Sequence, residues 1–274
     1  MIKNYQIFLM AIMIGFTVTA QIQNENNPYF VKRIPEPFLF SKTTLTAEDL
    51  KWSMDYSTSY GERVTGAFGF DGLGQQLGVK GYLGKQFTLL AHAAFGFTGG
   101  SEVSTAQQVE VVHDFFGGKK GQGLRLGVGL GAGKDFGNVG SALSRITLAY
   151  EGYRWKACGN ILFEKAFAAN RDNIDIISSI GFHHLLFGRL YGGFEAVGED
   201  LEGFWDKEEA EGGAKLLVGP SLNMSTDNQK IVFSVSGGPV FYATNNQTSN
   251  LGALRELPSQ SGLTLRARVA YIIQ

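Results

Sequence analysis

From Leu50 onward the sequence alternates between apolar residues and polar or small ones, in segments of about ten to twelve residues. In the first segment Trp52 and Met54 share one face, and Ser53 and Asp55 share the other. A period of two residues predicts β-strands. Turn-forming clusters separate the segments, so the pattern predicts twelve strands, over residues 50–60, 73–84, 87–97, 103–115, 123–133, 142–152, 155–166, 173–183, 187–197, 212–223, 229–242 and 262–274.

The predicted connections alternate between short and long along the chain. Short turns fall at 85–86, 153–154, 184–186 and 224–228, and longer loops fall at 61–72, 198–211 and 243–261. Transmembrane barrels have this asymmetry between their two ends. The connections at 98–102 and 116–122 depart from it, since the second should be the shorter one.

Charged residues within the strands fall almost entirely on the less apolar face, with Lys165 as the main exception. A soluble sandwich or lipocalin-like barrel would also alternate, with its charged face in water. Strands of about ten residues suit a tilted membrane crossing better than a soluble sheet. Aromatic residues near strand ends, such as Trp52 and Trp155, suit membrane interfaces. We therefore expect an all-β fold, a transmembrane antiparallel up-and-down β-barrel.

The N-terminus has the features of an export signal. Lys3 precedes an apolar run over residues 7–16, and small residues end at Ala20. The run is short for a membrane-spanning helix, although an N-terminal anchor is the alternative. We expect a cleaved signal peptide over 1–20, an extended periplasmic segment over 21–49, in which Pro35 and Pro37 disfavour regular pairing, and a barrel over 50–274.

At this point the chain resembles the bacterial outer-membrane β-barrel proteins, in the broad porin-like and transporter-like class. The last strand alternates to its end like the assembly signal of that class, although it finishes at Gln274 without the usual terminal Phe. The resemblance covers residues 50–274. It implies a protein surrounded by outer-membrane lipid and inserted by the barrel-assembly machinery.

The charges on the inward face are the main functional signal. With ten basic and six acidic inward residues, the expected lumen is mildly electropositive. This predicts a channel for passive transport of small anionic or neutral solutes. The predicted pore-lining residues are Lys80, Glu110, Arg125, Arg145, Glu151, Lys156, Arg189, Glu195, Lys215, Arg266 and Arg268. The alternative is a closed barrel, filled by ion pairs, whose outer loops bind a partner.

Other chemistry has weaker support in the sequence. A membrane-embedded hydrolase would need a Ser near a His with a supporting carboxylate, and neither His92 nor the pair His183-His184 shows that pattern. The seven acidic residues of loop 198–211 match no calcium-loop spacing, so a solvated loop is the simpler interpretation. Charges of 24 Lys and Arg against 25 Asp and Glu give no general attraction to nucleic acid. We predict no enzymatic activity, cofactor or metal.

Overall fold

A computed structural model describes residues 37–48, 52–62, 72–97, 103–168, 174–205, 214–242 and 261–273. The predicted signal peptide and residues 21–36 lie outside this part. Twelve strands are described, and they form one closed sheet: β1 (Trp52–Gly61), β2 (Gly72–Gly84), β3 (Phe87–Phe97), β4 (Val103–Phe116), β5 (Gly123–Lys134), β6 (Gly140–Glu151), β7 (Trp155–Ala166), β8 (Asp175–Phe187), β9 (Leu190–Glu199), β10 (Lys215–Ser225), β11 (Ile231–Tyr242) and β12 (Ser261–Ile273).

Each strand pairs antiparallel with its neighbours in the sequence, and β1 pairs with β12 to close the barrel. The seam runs from Trp52 opposite Ile273 to Gly61 opposite Thr264. Closure satisfies the backbone groups of every strand, as a membrane crossing requires. The predicted antiparallel, twelve-stranded, up-and-down barrel is confirmed.

The largest error in the predicted strand bounds concerns the connection between β8 and β9. The structure places it at residues 188–189 rather than 184–186, so His183 and His184 lie within β8. The apolar run Leu185–Phe187 extends the strand, and Gly188, at φ 53°, makes the turn. The predicted turn therefore begins four residues before the observed one.

The connections differ in length at the two rims. We call the rim that holds the start of β1 and the end of β12 the near rim, and the opposite one the far rim. Near-rim connections span two to six residues (85–86, 117–122, 152–154, 188–189 and 226–230). Far-rim connections span five to eighteen (62–71, 98–102, 135–139, 167–174, 200–214 and 243–260). The predicted asymmetry is present, and the departure noted from the sequence remains: the near-rim turn at 117–122 has six residues, one more than the far-rim connections at 98–102 and 135–139.

The outer surface of the barrel is apolar. Outward side chains such as Met54, Leu130 and Tyr271 are about half or more exposed. Within the described strands the exposed charged residues are Lys134 and Lys165, both close to the far rim. A row of stacked or tilted rings also crosses the outer face, through Tyr150, Trp155, Phe182 and Phe194. Such a surface suits contact with lipid and its interfaces.

No helix in the described ranges is both long and apolar enough to cross a membrane.

Residues 37–46 lie inside the barrel. Most of them are almost completely buried, from Phe38 at 1% exposed to Thr46 at 0%, and they contact inward side chains of several strands. This corrects the prediction that residues up to 49 lie outside the barrel as a periplasmic segment. The sequence indicated extended backbone from its prolines but carried no signal for burial. We call residues 37–46 the lumenal segment.

Candidate functional site: the occupied lumen

The lumenal segment begins in a pocket in the barrel wall. The ring of Phe38 packs with Ala149 and Cys158, and its centroid lies 4.7 Å from that of His183. Gly181 leaves the space for this ring, since a Cβ built there would lie 2.5 Å from Phe38 Cδ1. The pocket is near the near rim, because β6 to β8 carry these residues towards that end.

The wall binds the main chain of the segment through polar side chains. The Glu195 carboxylate accepts the N–H groups of Leu39 and Phe40, at 2.7–3.1 Å. Asn160 accepts the N–H of Lys42 at 2.5 Å and donates to the Lys42 carbonyl at 2.9 Å. Buried main-chain groups outside a sheet need such partners. These contacts therefore replace the strand pairing that the segment does not make.

The second half of the segment returns towards the near rim. Thr88 accepts the N–H of Leu45 at 2.9 Å, and Arg125 donates to the Thr44 carbonyl at 3.0 Å. The Thr44 hydroxyl donates to Asp114 at 2.7 Å. Beyond the segment, the carboxylate of Glu48 accepts the N–H of Gly121 in a near-rim turn, at 3.1 Å. Residues 37–48 thus enter and leave on the same side of the barrel.

An aliphatic patch covers half of the inner wall just below the far rim. Six adjacent strands, β6 to β11, each contribute one buried inward side chain, two to four residues from the far-rim end. We call this patch the aliphatic half-ring; its members are Leu143, Leu162, Ile177, Val197, Leu217 and Val240. Leu39 and Phe40 pack against it, and the Arg266 guanidinium lies 4.8 Å from the Phe40 ring centroid.

Ion pairs stabilise the polar part of the wall. Arg145 makes a two-pronged contact with Glu110, at 2.8 and 2.9 Å. Glu151 contacts Lys156 at 2.6 Å and Arg125 at 3.5 Å. All five side chains are nearly or completely buried. Their pairing satisfies charges that would otherwise be costly to remove from water.

Most of the predicted pore-lining residues face inward. Besides the ion-paired groups, Lys80, Glu195, Arg266 and Arg268 are buried, and Lys215 is half-buried at the far-rim end of β10. Lys80 donates to the Thr43 hydroxyl at 3.1 Å, and Arg268 donates to Ser234 at 3.3 Å. Ten of the eleven predicted residues therefore face the interior of the barrel.

Arg189 is the exception. It lies in the turn between β8 and β9 at the near rim, where it bonds to the Thr226 carbonyl at 2.6 Å and pairs with the fully exposed Asp227 at 3.1 Å. The early placement of that turn had put Arg189 on the inward face of β9. It connects two neighbouring turns and does not line the lumen.

The predicted positive balance of the lumen is also wrong for the described strands. Seven basic residues face inward there (Lys80, Arg125, Arg145, Lys156, Lys215, Arg266 and Arg268). Eight acidic residues do so (Asp55, Glu110, Asp114, Glu151, Glu164, Asp175, Glu195 and Glu199). Lys230, inside the predicted strand 229–242, precedes β11, and Lys51 lies outside the described residues. Glu199 joins the inward set because β9 ends two residues later than predicted, and Asp114, already inside the predicted β4, shares the inward face of Glu110.

A hydrogen-bonded chain joins three residues that the sequence did not bring together. The Ser221 hydroxyl donates to Glu195 at 2.7 Å and lies 2.8 Å from His183 Nε2. Because the hydroxyl hydrogen is used for Glu195, His183 Nε2 is the donor to Ser221. In a catalytic triad the carboxylate bonds to the histidine and leaves the serine to attack. Here Glu195 bonds to the serine and also holds the lumenal segment.

Carboxylates gather at the far rim beside β8 and β9. Asp200 is buried and has φ 48°; its carboxylate accepts the N–H of Ile176 at 3.1 Å. Burial raises the pKa of Asp200 to about 6, and the nearby carboxylates of Glu199, Asp175 and Glu202 act in the same direction. A short 3-10 turn follows over Leu201–Phe204, and the next residue, Trp205, is 78% exposed. The other acidic residues of loop 198–211 lie outside the described residues.

No protein-family model and no curated protein matches this sequence. Solved structures do match its fold. A KdgM porin in complex with disordered oligogalacturonate aligns at TM-score 0.53 and 9% identity, over 81% of this chain and 99% of that one. A second KdgM porin structure aligns at TM-score 0.52 with the same identity and coverage. The fold is that of bacterial outer-membrane β-barrels. The resemblance predicted from the sequence is thereby confirmed at the level of the fold.

Proposed function

We propose that this protein is an outer-membrane channel for small hydrophilic solutes, closed by its own lumenal segment and opened when that segment withdraws. One observation carries the proposal. All twelve strands pair with one another around the barrel, and residues 37–48 add no strand to the sheet. Withdrawal of the segment therefore breaks side-chain contacts but no ladder of backbone hydrogen bonds. The wall is complete without it.

The outer surface supports the proposed location. An apolar exterior, on which the exposed charges of the described strands lie only near the far rim, suits a lipid bilayer and would be an aggregation hazard in water. The shorter turns support an orientation with the near rim in the periplasm, because short periplasmic turns are usual in bacterial outer-membrane barrels. The lumenal segment then enters from the periplasmic side.

The wall supports hydrophilic solutes. Below the aliphatic half-ring it is lined by paired ionic groups and by hydroxyls such as Ser221 and Ser234. Because the inward charges of the described strands nearly balance, we expect weak selectivity between anions and cations. This modifies the preference for anions that the sequence suggested.

A reversible lock tests the proposal. Ser41 and Ser179 face each other with their hydroxyl oxygens 3.1 Å apart, so Ser41→Cys with Ser179→Cys places two thiols within disulfide reach. The native cysteine is first removed by Cys158→Ser. We expect the oxidised protein to be silent in a planar bilayer, and the reduced protein to open in discrete conductance steps.

Each single-cysteine variant serves as a control, because it should respond to neither oxidant nor reductant. If the reduced double variant and a variant with a destabilised segment both remain silent, with no ion conductance in the bilayer, the channel is contradicted. Such silence would instead favour a closed barrel that binds a partner at its far rim, where Trp205 is strongly exposed. Conductance that oxidation leaves unchanged would show that the segment is no gate.

A further inference from the structure

We infer that the open lumen binds oligopeptides that carry two successive bulky apolar residues, at the site that the lumenal segment fills in the closed state. The inference rests on the proposed function, because the site becomes accessible only when the segment withdraws. The barrel fold alone does not specify this class of solute.

The wall recognises peptide backbone rather than one particular sequence. Glu195 accepts two successive N–H groups, and Asn160 satisfies both the N–H and the carbonyl of one residue. Thr88 and Arg125 bind an N–H and a carbonyl further along. These four side chains are almost completely buried on four different strands. The backbone bends over residues 39–41, which lets one carboxylate accept two successive N–H groups, and any peptide that adopts this bend offers the same donors and acceptors.

The contacts of the side chains define which peptides fit. Leu39 and Phe40 lie against the aliphatic half-ring, which extends over six strands, and Arg266 covers the Phe40 ring. The interior of a membrane barrel is usually polar, so an apolar patch of this size points to apolar side chains as its complement. Burying a leucine or phenylalanine side chain there removes apolar surface from water and so strengthens binding. The Phe38 pocket provides a further apolar position beside it.

The N–H groups of the ligand are the decisive feature. Glu195 is fully buried, and in the closed state it bonds to Leu39, Phe40 and Ser221. A non-peptide apolar solute would cover the half-ring but would leave the Glu195 carboxylate without two of its donors. Leaving a buried carboxylate short of donors is strongly unfavourable. The geometry therefore selects amide-bearing ligands over hydrocarbons of equal size.

The experiment uses the full chain with an intact wall and a segment that cannot stay in place. Phe38→Asp, Leu39→Asp and Phe40→Asp together put three carboxylates against apolar groups, which expels the segment. Conductance of this variant in a planar bilayer is then titrated with a capped hexapeptide, Gly-Phe-Leu-Phe-Ser-Gly. We expect the peptide to block the current reversibly, and a capped peptide of Gly and Ser alone to have no effect.

Two matched changes test the recognition of the backbone. N-methylation of the Leu and of the second Phe of the hexapeptide removes the donors to Glu195 but keeps the apolar side chains. We expect the half-blocking concentration to rise at least about tenfold, because each donor bonds to a charged group. Adding Glu195→Ala to the channel should weaken block by the unmethylated peptide similarly. Adding Ser236→Ala, which removes a hydroxyl that donates to the Pro220 carbonyl of the neighbouring strand, should leave block unchanged.

The outcomes separate this inference from the proposed function. A triple variant that folds, by its heat-modifiable gel mobility, yet conducts no ions would overturn the channel itself. If it conducts but the peptide does not block, or the N-methylated peptide blocks equally well, the peptide site is wrong. Block only by a peptide with the complete sequence of residues 37–46 would also overturn the inference, since the site would then serve the segment alone.

Discussion

Asn160 bonds to both main-chain polar groups of Lys42, accepting its N–H at 2.5 Å and donating to its carbonyl at 2.9 Å. One amide side chain on β7 thus replaces a step of strand pairing for a segment that belongs to no strand. The adjacent inward residue, Cys158, lies 3.3 Å from the same carbonyl. Its thiol is covered as long as Lys42 stays in place.

Replacing Asn160 by alanine should release the segment more often. Two hydrogen bonds of about 1 kcal/mol each are lost, so we expect the open population to rise at least about tenfold. The lone thiol of Cys158 reports this directly, because it is 2% exposed in the closed state. The measurement is the rate at which a small charged thiol reagent labels Cys158. Ser236→Ala is the control, and an Asn160→Ala rate equal to that of the wild type would show that the clamp does not hold the segment.

The Phe38 pocket gives a prediction based on steric fit. Gly181→Ala should displace the Phe38 ring, because the added Cβ would lie 2.5 Å from it. We expect faster labelling of Cys158 and a loss of about 1–3 kcal/mol in the free energy of unfolding.

Phe38→Ala provides the matching background for that substitution. With the ring removed, Gly181→Ala should have little further effect on either measurement. A full effect of Gly181→Ala in the absence of the ring would mean that the glycine serves the backbone of β8 rather than the pocket.

The pair of Arg145 and Glu110 should be strongly coupled. Removing only one partner leaves a buried charge, so Glu110→Gln and Arg145→Met should each cost about 3–5 kcal/mol. The double variant should cost clearly less than the sum of the two. Urea unfolding in lipid vesicles, followed by gel mobility, measures these free energies. Additive effects would indicate that the 2.8 Å contact contributes no coupling.

Asp200 should make stability depend on pH. Its pKa is raised to about 6 in the folded protein, so the folded state binds a proton more readily than the unfolded state. The free energy of unfolding therefore falls as pH rises from about 4 through about 6, and the loss is complete above that range. Asp200→Asn keeps an acceptor for Ile176 and should raise stability at pH 7.5 by about 2 kcal/mol.

Urea unfolding between pH 4 and pH 8 tests the role of Asp200. Asp200→Asn should flatten the profile over this window, whereas Asp227→Asn, at a fully exposed near-rim position, should leave it unchanged. A profile with the same slope in wild type and Asp200→Asn would assign the pH dependence to another group.

The outward face of β5 tests whether the barrel lies in lipid. Leu130 is 69% exposed near the middle of that face. Leu130→Arg should destabilise the barrel in vesicles by about 2–4 kcal/mol, while Leu130→Ala should cost less. Unfolding in vesicles of defined lipid composition measures the difference. If Leu130→Arg leaves the free energy of unfolding unchanged, this face lies in water and a soluble barrel is the better interpretation.

The barrel could be predicted from sequence because its signal is local and repeated. Alternation over a strand such as Trp155–Ala166 fixes which side chains face the lumen, and the structure places that strand at the predicted bounds. The error at β8 arose because Leu185, Leu186 and Phe187 break the alternation. Bounds set by turn chemistry are less certain than faces set by periodicity.

The occupied lumen could not be predicted, because its contacts join residues distant in the sequence. The hydrogen bond between Leu39 and Glu195 joins residues 156 positions apart, and that between His183 and Ser221 joins residues 38 positions apart. No local sequence pattern predicts such contacts. The two prolines before Phe38 disfavour strand pairing, and residues 37–46 indeed form no strand, but the same composition suits a solvent-exposed tail. A buried segment differs from an exposed tail in its contacts with Glu195 and Asn160, and these contacts are known only once the fold is known.

The seam between β1 and β12 has a consequence for biogenesis. Trp52 pairs with Ile273, so the lumen comes into being only when the last strand of the chain has arrived. Until then the sheet is open on one side, so the apolar residues Phe38, Leu39 and Phe40 are not fully enclosed, although β6 to β11 already supply their apolar contacts. Closure of the cylinder therefore completes the enclosure of its contents. A chain stalled before β12 would present these residues to periplasmic chaperones.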